Sequence, residues 1–182
     1  MPSPTSQNAG GGIMTKKTLF IILGVIGVMI LGGLMLALSR NNSGEIMQRL
    51  HVRHQNLVAV VEDGKLNIRN EALSNANSEL GIILDSDGAT LKDAMTAAGL
   101  KKIDKNIAAL EADDTVEQLS SAKLNGTYDR DVKEALLEHI TSVTEAMSAL
   151  HGETKSAELR EALTTEYNNL QTITERIEKI QL

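Results

Sequence analysis

One segment constrains this chain more than any other: residues 18–38, TLFIILGVIGVMILGGLMLAL, contain no charged side chain. At about 1.5 Å of rise per residue, a helix of this length extends about 30 Å, which matches the hydrocarbon core of a bilayer. A core helix of a globular domain is usually shorter and carries a polar face. The segment therefore predicts a single transmembrane helix.

The residues around this segment bear on its cleavage and its orientation. Ala37-Leu38-Ser39 weakly fits a signal-peptidase site, but the apolar run is longer than the usual signal core of about 7–15 residues. We therefore interpret residues 18–38 as an uncleaved signal anchor. Lys16 and Lys17 precede the span, while Arg40 follows it. The positive-inside rule then favours, by a small margin, a cytoplasmic N-terminus and a C-terminal domain outside the cell membrane.

Polar stretches divide the rest of the chain. Residues 1–17 include a tail rich in Gly, Ser and Pro, and we predict that this part is disordered. Residues 39–44, SRNNSG, form a polar linker that ends the membrane helix. Residues 45–182 then form one further domain.

This domain shows helical periodicity in each of its long segments. Apolar side chains, with an occasional histidine, recur at steps of three and four residues from Met47 to Val61, from Leu73 to Ile83, from Val132 to Leu150 and from Leu159 to Ile180. Aromatic residues make up only 2% of the chain, which disfavours a β-rich domain. We predict an all-α fold: a single N-terminal transmembrane helix followed by an antiparallel helical bundle of four or more helices.

Glycine, asparagine and aspartate mark the predicted helix ends. Gly99 followed by Leu100 indicates a Schellman stop. Asp113 or Asp114 is predicted to cap a short helix, and Asp129 is predicted to cap the long helix that follows. Turns are predicted at three dipeptides: Asp63-Gly64, Asn125-Gly126 and His151-Gly152.

The stretch GIILDSDGATLKD, residues 81–93, has the strongest appearance of a site. Ile82 to Leu91 is similar to the Asp-x-Asp-Gly-Thr loop of haloacid-dehalogenase-type phosphatases, with one residue inserted before Thr90. The resemblance implies Asp85 as nucleophile, Asp87 as acid/base and a Mg²⁺ ion completed by distant carboxylates. That chemistry needs a parallel sheet, and the sequence shows no alternation of strands and helices that would build one.

A calcium loop is the second interpretation of the same stretch. An EF-hand needs oxygen ligands at its first, third, fifth and twelfth positions and glycine at its sixth. Counted from Asp85, the fifth, sixth and twelfth positions are Ala89, Thr90 and Thr96, and none of them fits. We therefore interpret the stretch as a helix end and a turn, in which Asp87 or a neighbour caps a helix beginning near Ala89.

The histidines carry the remaining candidate chemistry. His51 and His54 lie three residues apart and could share a metal ion, but His54 and His139 both fall on apolar stripes, which indicates packed histidines. The sequence shows no Glu-x-x-His pair, nucleophile elbow or phosphate loop, whereas a Ser-His-Asp triad would be recognisable only in three dimensions. We predict that the protein is not an enzyme and has no catalytic, cofactor-binding or metal-ligating residue and no cofactor.

Charge narrows the class of partner. Of the 18 basic residues, three precede residue 41, so residues 41–182 carry 15 basic side chains against all 24 acidic ones. A domain with this excess of negative charge repels phosphate backbones, and we do not expect nucleic acid as a partner.

Two functions fit these observations. The first is a membrane-anchored, surface-displayed helical bundle that acts by protein-protein interaction or as a structural component of the envelope. Its partner would be another protein or a second copy of the chain, and the stripe from Leu159 to Ile180 would either recruit that partner or be buried inside the bundle. The second is a ligand-sensing extracytoplasmic four-helix-bundle domain, similar in plan to chemoreceptor periplasmic domains, that works with a membrane partner.

Overall fold

The computed structural model describes residues 43–182, which form six helices and no strand. The predicted all-α fold is therefore confirmed for this part of the chain. We number the helices in chain order: α1 (Ser43–Asn67), α2 (Glu71–Ala97), α3 (Lys105–Leu110), α4 (Thr115–Asn125), α5 (Tyr128–Glu153) and α6 (Ala157–Glu178).

The four long helices form a bundle. Helix α1 packs against α2 and α5, and α6 packs against the same two helices, so α1 and α6 occupy opposite corners. Neighbouring helices run antiparallel, and the short connections between α1 and α2 and between α5 and α6 require this for those two pairs. Two contacts show this direction between α2 and α6. Glu79 of α2 pairs with Arg176 of α6. Asp87, which is later in α2, accepts a hydrogen bond from Asn169, which is earlier in α6.

The two short helices form a strap along the outside of α1. The strap runs along α1 from its N-terminal to its C-terminal end, because Asp104, Glu111 and Lys123 contact successively later residues of α1. Helix α1 begins at one end of the bundle, which we call the near end. The near end also contains residues 98–104 and 154–156. The opposite end, with residues 68–70, 126–127 and 179–182, is the far end.

The core is built mainly from the stripes that the periodicity predicted. Each helix of the bundle presents leucines that are almost fully buried, and burying such a side chain contributes about 1.5–3 kcal/mol. The stripe of α6 is buried from Leu159 to Ile177. It is therefore used inside the bundle and offers no free helix face to a partner. The largest fully buried side chains include Leu50, Leu57, Leu73, Leu80, Leu136, Leu150, Leu163 and Leu170.

Two of the predicted helix ends are confirmed, and both use a left-handed glycine. Gly99 has φ of 100°, and the backbone N–H of Leu100 donates to the Met95 carbonyl oxygen at 2.8 Å, as in a Schellman motif. Gly126 has φ of 72° and ends α4. Only glycine adopts this conformation without a steric cost from a Cβ atom.

Other predicted helix ends are wrong. Helix α1 continues through Asp63-Gly64 to Asn67, and α5 continues through His151-Gly152 to Glu153. Thr127, not Asp129, is the N-cap residue of α5; the Asp129 carboxylate instead accepts hydrogen bonds from the backbone N–H groups of residues 69 and 70.

The predicted cap of the short helix α4, by Asp113 or Asp114, is confirmed in part. Asp114 occupies the N-cap position but makes no side-chain cap hydrogen bond, whereas the Asp113 carboxylate accepts from the backbone N–H of Thr115.

The predicted membrane segment is not among the described residues. Within residues 43–182, no helix has both the length and the apolar character needed to cross a bilayer. The predicted tail (1–17), the predicted span (18–38) and most of the predicted linker (39–44) lie outside the described range. Helix α1 begins at Ser43, within that linker.

Candidate functional site

The predicted turn within residues 81–93 does not exist, because the whole stretch belongs to α2. Asp85 and Asp87 project from a continuous helix, and Asp85 is exposed. A phosphatase loop needs its aspartates at the end of a strand, and a calcium loop needs an irregular backbone that wraps the ion. Neither geometry occurs here. Asp87 instead accepts a hydrogen bond from Asn169 Nδ2 at 2.7 Å and so joins α2 to α6.

The histidines face three different environments. The His54 Nε2 atom lies 2.9 Å from Glu166 Oε1. The His139 Nε2 atom lies 3.1 Å from the Thr115 hydroxyl and 3.4 Å from Asp113, which places it between α5 and α4. Burial, followed by the positive charge of Lys92 and the proximity of His54, lowers the pKa of His51. No group of three or more potential ligands among residues 43–182 is arranged to hold a metal ion.

The pair of His54 and Glu166 is the most unusual polar feature of the bundle. His54 belongs to α1 and Glu166 to α6, so the pair connects opposite corners across the core. The Glu166 side chain is 0% exposed, and that of His54 is 15% exposed. At a separation of 2.9 Å, a proton must lie between Nε2 and Oε1, because two acceptors do not approach so closely. This hydrogen bond therefore lies largely away from solvent.

A glycine on a third helix makes room for this pair. A Cβ atom built on Gly88 of α2 would lie 2.6 Å from both Cε1 and Nε2 of His54. Carbon atoms in protein interiors approach to about 3.5–4.0 Å. The His54 ring therefore fits only because residue 88 has no side chain, and three helices together define its position.

Both Glu166 and one further core residue have an oxygen atom with no protein partner. The Oε2 atom of Glu166 and the Oδ1 atom of Asn77 are buried without a hydrogen bond. The Asn77 amide donates to the Val61 carbonyl oxygen at 2.9 Å, and its Oδ1 would lie 2.9 Å from a Cβ atom on Gly64. Buried oxygen atoms in this state cost free energy, since they lose their hydrogen bonds to water. Asn77 and the partner of Glu166, His54, are thus each packed against a helical glycine, Gly64 and Gly88.

A cleft of about 480 Å³ opens at the far end of the bundle. Its polar lining comes from four helix termini, the ends of α1 and α4 and the starts of α2 and α5, which meet there because the chain reverses direction at this end. Three of the lining residues are cationic. The residues that line it are Asn67, Arg69, Asn70, Lys123, Gly126, Thr127, Tyr128, Asp129, Arg130 and Leu182.

The cations of the cleft differ in how far they are neutralised. Lys123 donates to Asp63 Oδ1 at 2.8 Å, and Tyr128 donates to the other oxygen of the same carboxylate at 2.7 Å. Burial, followed by the hydrogen bond to Asp63, raises the pKa of Tyr128. Arg130 pairs with Asp131 at the surface. The exposed Arg69 guanidinium has no ion pair or hydrogen bond among the described residues, and it is the cation available to a ligand.

The sequence contained a signal for the buried pair that the periodicity alone did not reveal. The stripe of α6 steps from Leu163 directly to Leu170, and the position between them that faces the core is Glu166. An acidic residue at a core position of an otherwise apolar stripe indicates a buried polar contact. His54 interrupts the α1 stripe in the same way, but the sequence alone does not show that these two residues meet.

We compared the chain with protein families, curated proteins and solved structures. No family model matches it, and no curated protein or solved structure shows significant similarity to it.

Proposed function

We propose that this chain is a single-pass membrane protein whose helical bundle stands outside the cell and acts by protein-protein interaction or as an envelope component. Residues 18–38 would anchor it, and Lys16 and Lys17 favour a cytoplasmic N-terminus. Because α1 begins at Ser43, only four residues separate the proposed anchor from the bundle. The near end then faces the membrane, and the far end points away from it.

The observation that carries this proposal is the surface of the far end. Leu66 is 86% exposed and Leu124 is 89% exposed, and each is the chain neighbour of a residue that lines the cleft. Leu182, itself a lining residue, is 55% exposed. Single exposed leucines are common, but a group of them around a cleft is typical of a protein-binding surface. We infer a protein partner that places an apolar side chain in the cleft and a carboxylate on Arg69.

The geometry supports display of this surface away from the bilayer. Helix α5 has 26 residues and therefore extends about 39 Å from the far end to the near end. A partner would meet the leucines well beyond the lipid headgroups. The bundle supplies a rigid spacer, because its four long helices are packed along their full length.

Protease accessibility tests the membrane topology. Intact cells and lysed cells would be treated with protease, and loss of the C-terminal domain would be followed by immunoblotting. We expect digestion in intact cells. Protection until lysis would place the domain inside, and release of the full-length chain by alkaline carbonate would contradict the anchor itself.

Introducing a charged side chain tests the far-end surface. Leu66→Glu and Leu124→Glu should reduce chemical crosslinking to the partner at least about tenfold, since a carboxylate has to be desolvated against the apolar group. Ile82→Glu is the matched control, because Ile82 is 69% exposed but lies in the middle of α2. Equal crosslinking of all three variants would exclude the far end as the docking surface.

A ligand-sensing domain is the second candidate, and the cleft is the observation that favours it. A volume of about 480 Å³ lies within the range of small-molecule sites, about 300–1,000 Å³, and the cleft contains Arg69, whose guanidinium has no ion pair within residues 43–182. An anionic small molecule would fit this chemistry. Thermal shift measurements with a panel of carboxylates and phosphates, on the wild-type chain and on Arg69→Ala, test it. A stabilising ligand must lose its effect in the variant, and a panel without such a ligand contradicts the candidate.

A further inference from the structure

The near end of the bundle carries a basic loop, residues 100–105, with the sequence LKKIDK. Lys101, Lys102 and Lys105 are all exposed, and none of them pairs with a carboxylate among residues 43–182. The one acidic residue of the loop, Asp104, directs its carboxylate to the backbone N–H of Asn106, 2.7 Å away, where it caps α3. The three lysines outnumber the single carboxylate, so the loop has a net charge of +2 in a domain that is acidic as a whole.

The fold places this loop beside the start of α1. Helix α2 ends at the near end with the Schellman turn at Gly99, and the backbone N–H of Asp104 donates to Gln48 Oε1 at 2.6 Å. Gln48 lies five residues after Ser43, a rise of about 7.5 Å along α1. Lys155, between α5 and α6, is another exposed cation at this same end, and it pairs with no carboxylate in the part of the chain that the structure describes.

We propose that the basic loop contacts anionic phospholipid headgroups of the bilayer in which the chain is anchored. This inference rests on the proposed membrane anchor. Residues 39–42 are the only residues between the predicted span and α1, so the near end lies close to the headgroups. Attraction between a lysine and an anionic surface acts only within about a Debye length, about 8 Å at physiological ionic strength, so the contact requires anionic lipid in the leaflet from which the bundle emerges.

The loop also has the side chains that an interfacial contact requires. Leu100 and Ile103 are only partly buried and lie on either side of Lys101 and Lys102 in the sequence. Long lysine side chains place their charges at the headgroups while their methylene groups cover apolar surface. The contact would hold the bundle at a fixed tilt on its short linker and so orient the far end.

The full-length chain in vesicles provides the test, and its lack of cysteine permits a single label. Ala98→Cys places a fluorophore beside the loop, and Asn125→Cys places one at the far end; both residues are exposed. Quenching by headgroup-labelled lipid would be measured in vesicles with and without an anionic phospholipid. We expect several-fold stronger quenching of the Ala98→Cys label in anionic vesicles and no dependence on lipid charge for the Asn125→Cys label.

Charge reversal provides the matched control. Lys101→Glu, Lys102→Glu and Lys105→Glu together should abolish the dependence on anionic lipid, since each lysine contributes roughly a fivefold preference for an anionic surface. Arg69→Glu, Arg130→Glu and Lys179→Glu make the same change in net charge at the far end and should leave the dependence intact. Circular dichroism would verify that both variants are folded.

The possible failures are distinguishable. If the chain does not float with vesicles of either composition, the anchor is wrong, and the inference fails with it. If the chain floats but the Ala98→Cys label is quenched equally in both kinds of vesicle, the anchor stands and the lipid contact is wrong. If both charge-reversed variants lost the dependence of quenching on anionic lipid equally, that dependence would come from net charge alone. This result would also overturn the contact.

Discussion

At the scale of single residues, the contact between Gly88 and His54 shows how one missing side chain can determine the position of another. In an isolated helix, replacing glycine by alanine stabilises by about 1 kcal/mol. At Gly88 the added methyl group would overlap the His54 ring, which the hydrogen bond to Glu166 prevents from rotating away. The local preference of the helix and the packing of the bundle therefore oppose each other at this position.

This opposition predicts the sign of a substitution. We expect Gly88→Ala to lower the free energy of unfolding by about 1–3 kcal/mol, as overpacking does. Gly152→Ala should be neutral or stabilising, because nothing lies within 4 Å of its added Cβ. Urea denaturation followed by circular dichroism measures both. In a His54→Ala background the cost of Gly88→Ala should disappear, and a cost that is unchanged there would show that the ring is not its cause.

The buried pair predicts a second non-additive result. His54→Ala leaves the fully buried Glu166 without its partner, and we expect a loss of about 3–5 kcal/mol. Replacing both residues by leucine should be close to neutral or even stabilising, since the desolvation cost of the polar pair is removed with it. The same denaturation experiment compares the variants. A double variant as unstable as His54→Ala would mean that the pair stabilises the fold by itself.

At the scale of elements, one carboxylate holds the strap on the bundle. Glu111 accepts from Arg49 Nη1 at 2.6 Å and from Arg53 Nε at 2.7 Å, and its backbone carbonyl accepts from Asn56. Burial disfavours the charged form of Glu111, but the hydrogen bonds from the two arginines outweigh this effect and lower its pKa. One residue between two short helices thus makes three contacts with α1.

Loss of this carboxylate should loosen the strap selectively. For Glu111→Gln we expect faster amide hydrogen exchange across residues 98–127, with a cost of about 1–2 kcal/mol from the weakened charged hydrogen bonds. The four long helices should keep their protection. Glu117→Gln, an exposed substitution within α4, is the control and should leave exchange unchanged. Uniformly faster exchange throughout the bundle would show that the strap and the bundle unfold as one unit.

The helix ends show what could be predicted from the sequence and what could not. All long apolar segments were identified as helices, because a period of three and four residues is a local property. The dipeptide Asp63-Gly64 and the glycine at 88 were interpreted as turns, yet both lie inside helices. Glycine costs a helix only about 1 kcal/mol, and close packing against Asn77 and His54 requires it there. That packing depends on residues distant in the chain, as does the meeting of His54 with Glu166.

At the scale of the whole molecule, stability should depend on pH in two steps. His51 has a pKa below 6.5 in the folded chain. As the pH falls from about 6.5, the unfolded chain therefore binds more protons at this residue than the folded chain does, and the free energy of unfolding decreases. Glu111 has a folded pKa below 4.5, so its contribution is present above 4.5 and is lost as the pH falls further through the folded value.

Urea denaturation at a series of pH values between about 7.5 and 3 measures both steps. We expect His51→Gln to flatten the upper step and Glu111→Gln to reduce the lower one, to which Asp131 also contributes because hydrogen bonds from Thr127 and Arg130 lower its pKa. His151→Gln is a suitable control, since His151 is exposed near the end of α5. A chain whose stability rose as the pH fell from 7.5 to 5 would contradict the assignment of His51.

The direction of the strap along α1 has a mechanical consequence. If a membrane holds the chain at Ser43 and a partner pulls on Leu124, the tension passes from α1 into the strap through the contacts between them. Those contacts, at Asp104, Glu111 and Lys123, are arranged along the line of force. They are loaded in shear and share the tension, whereas a helix pulled sideways would lose them one at a time. The strap is thus oriented to transmit a pull along the bundle axis and to yield readily to one across it.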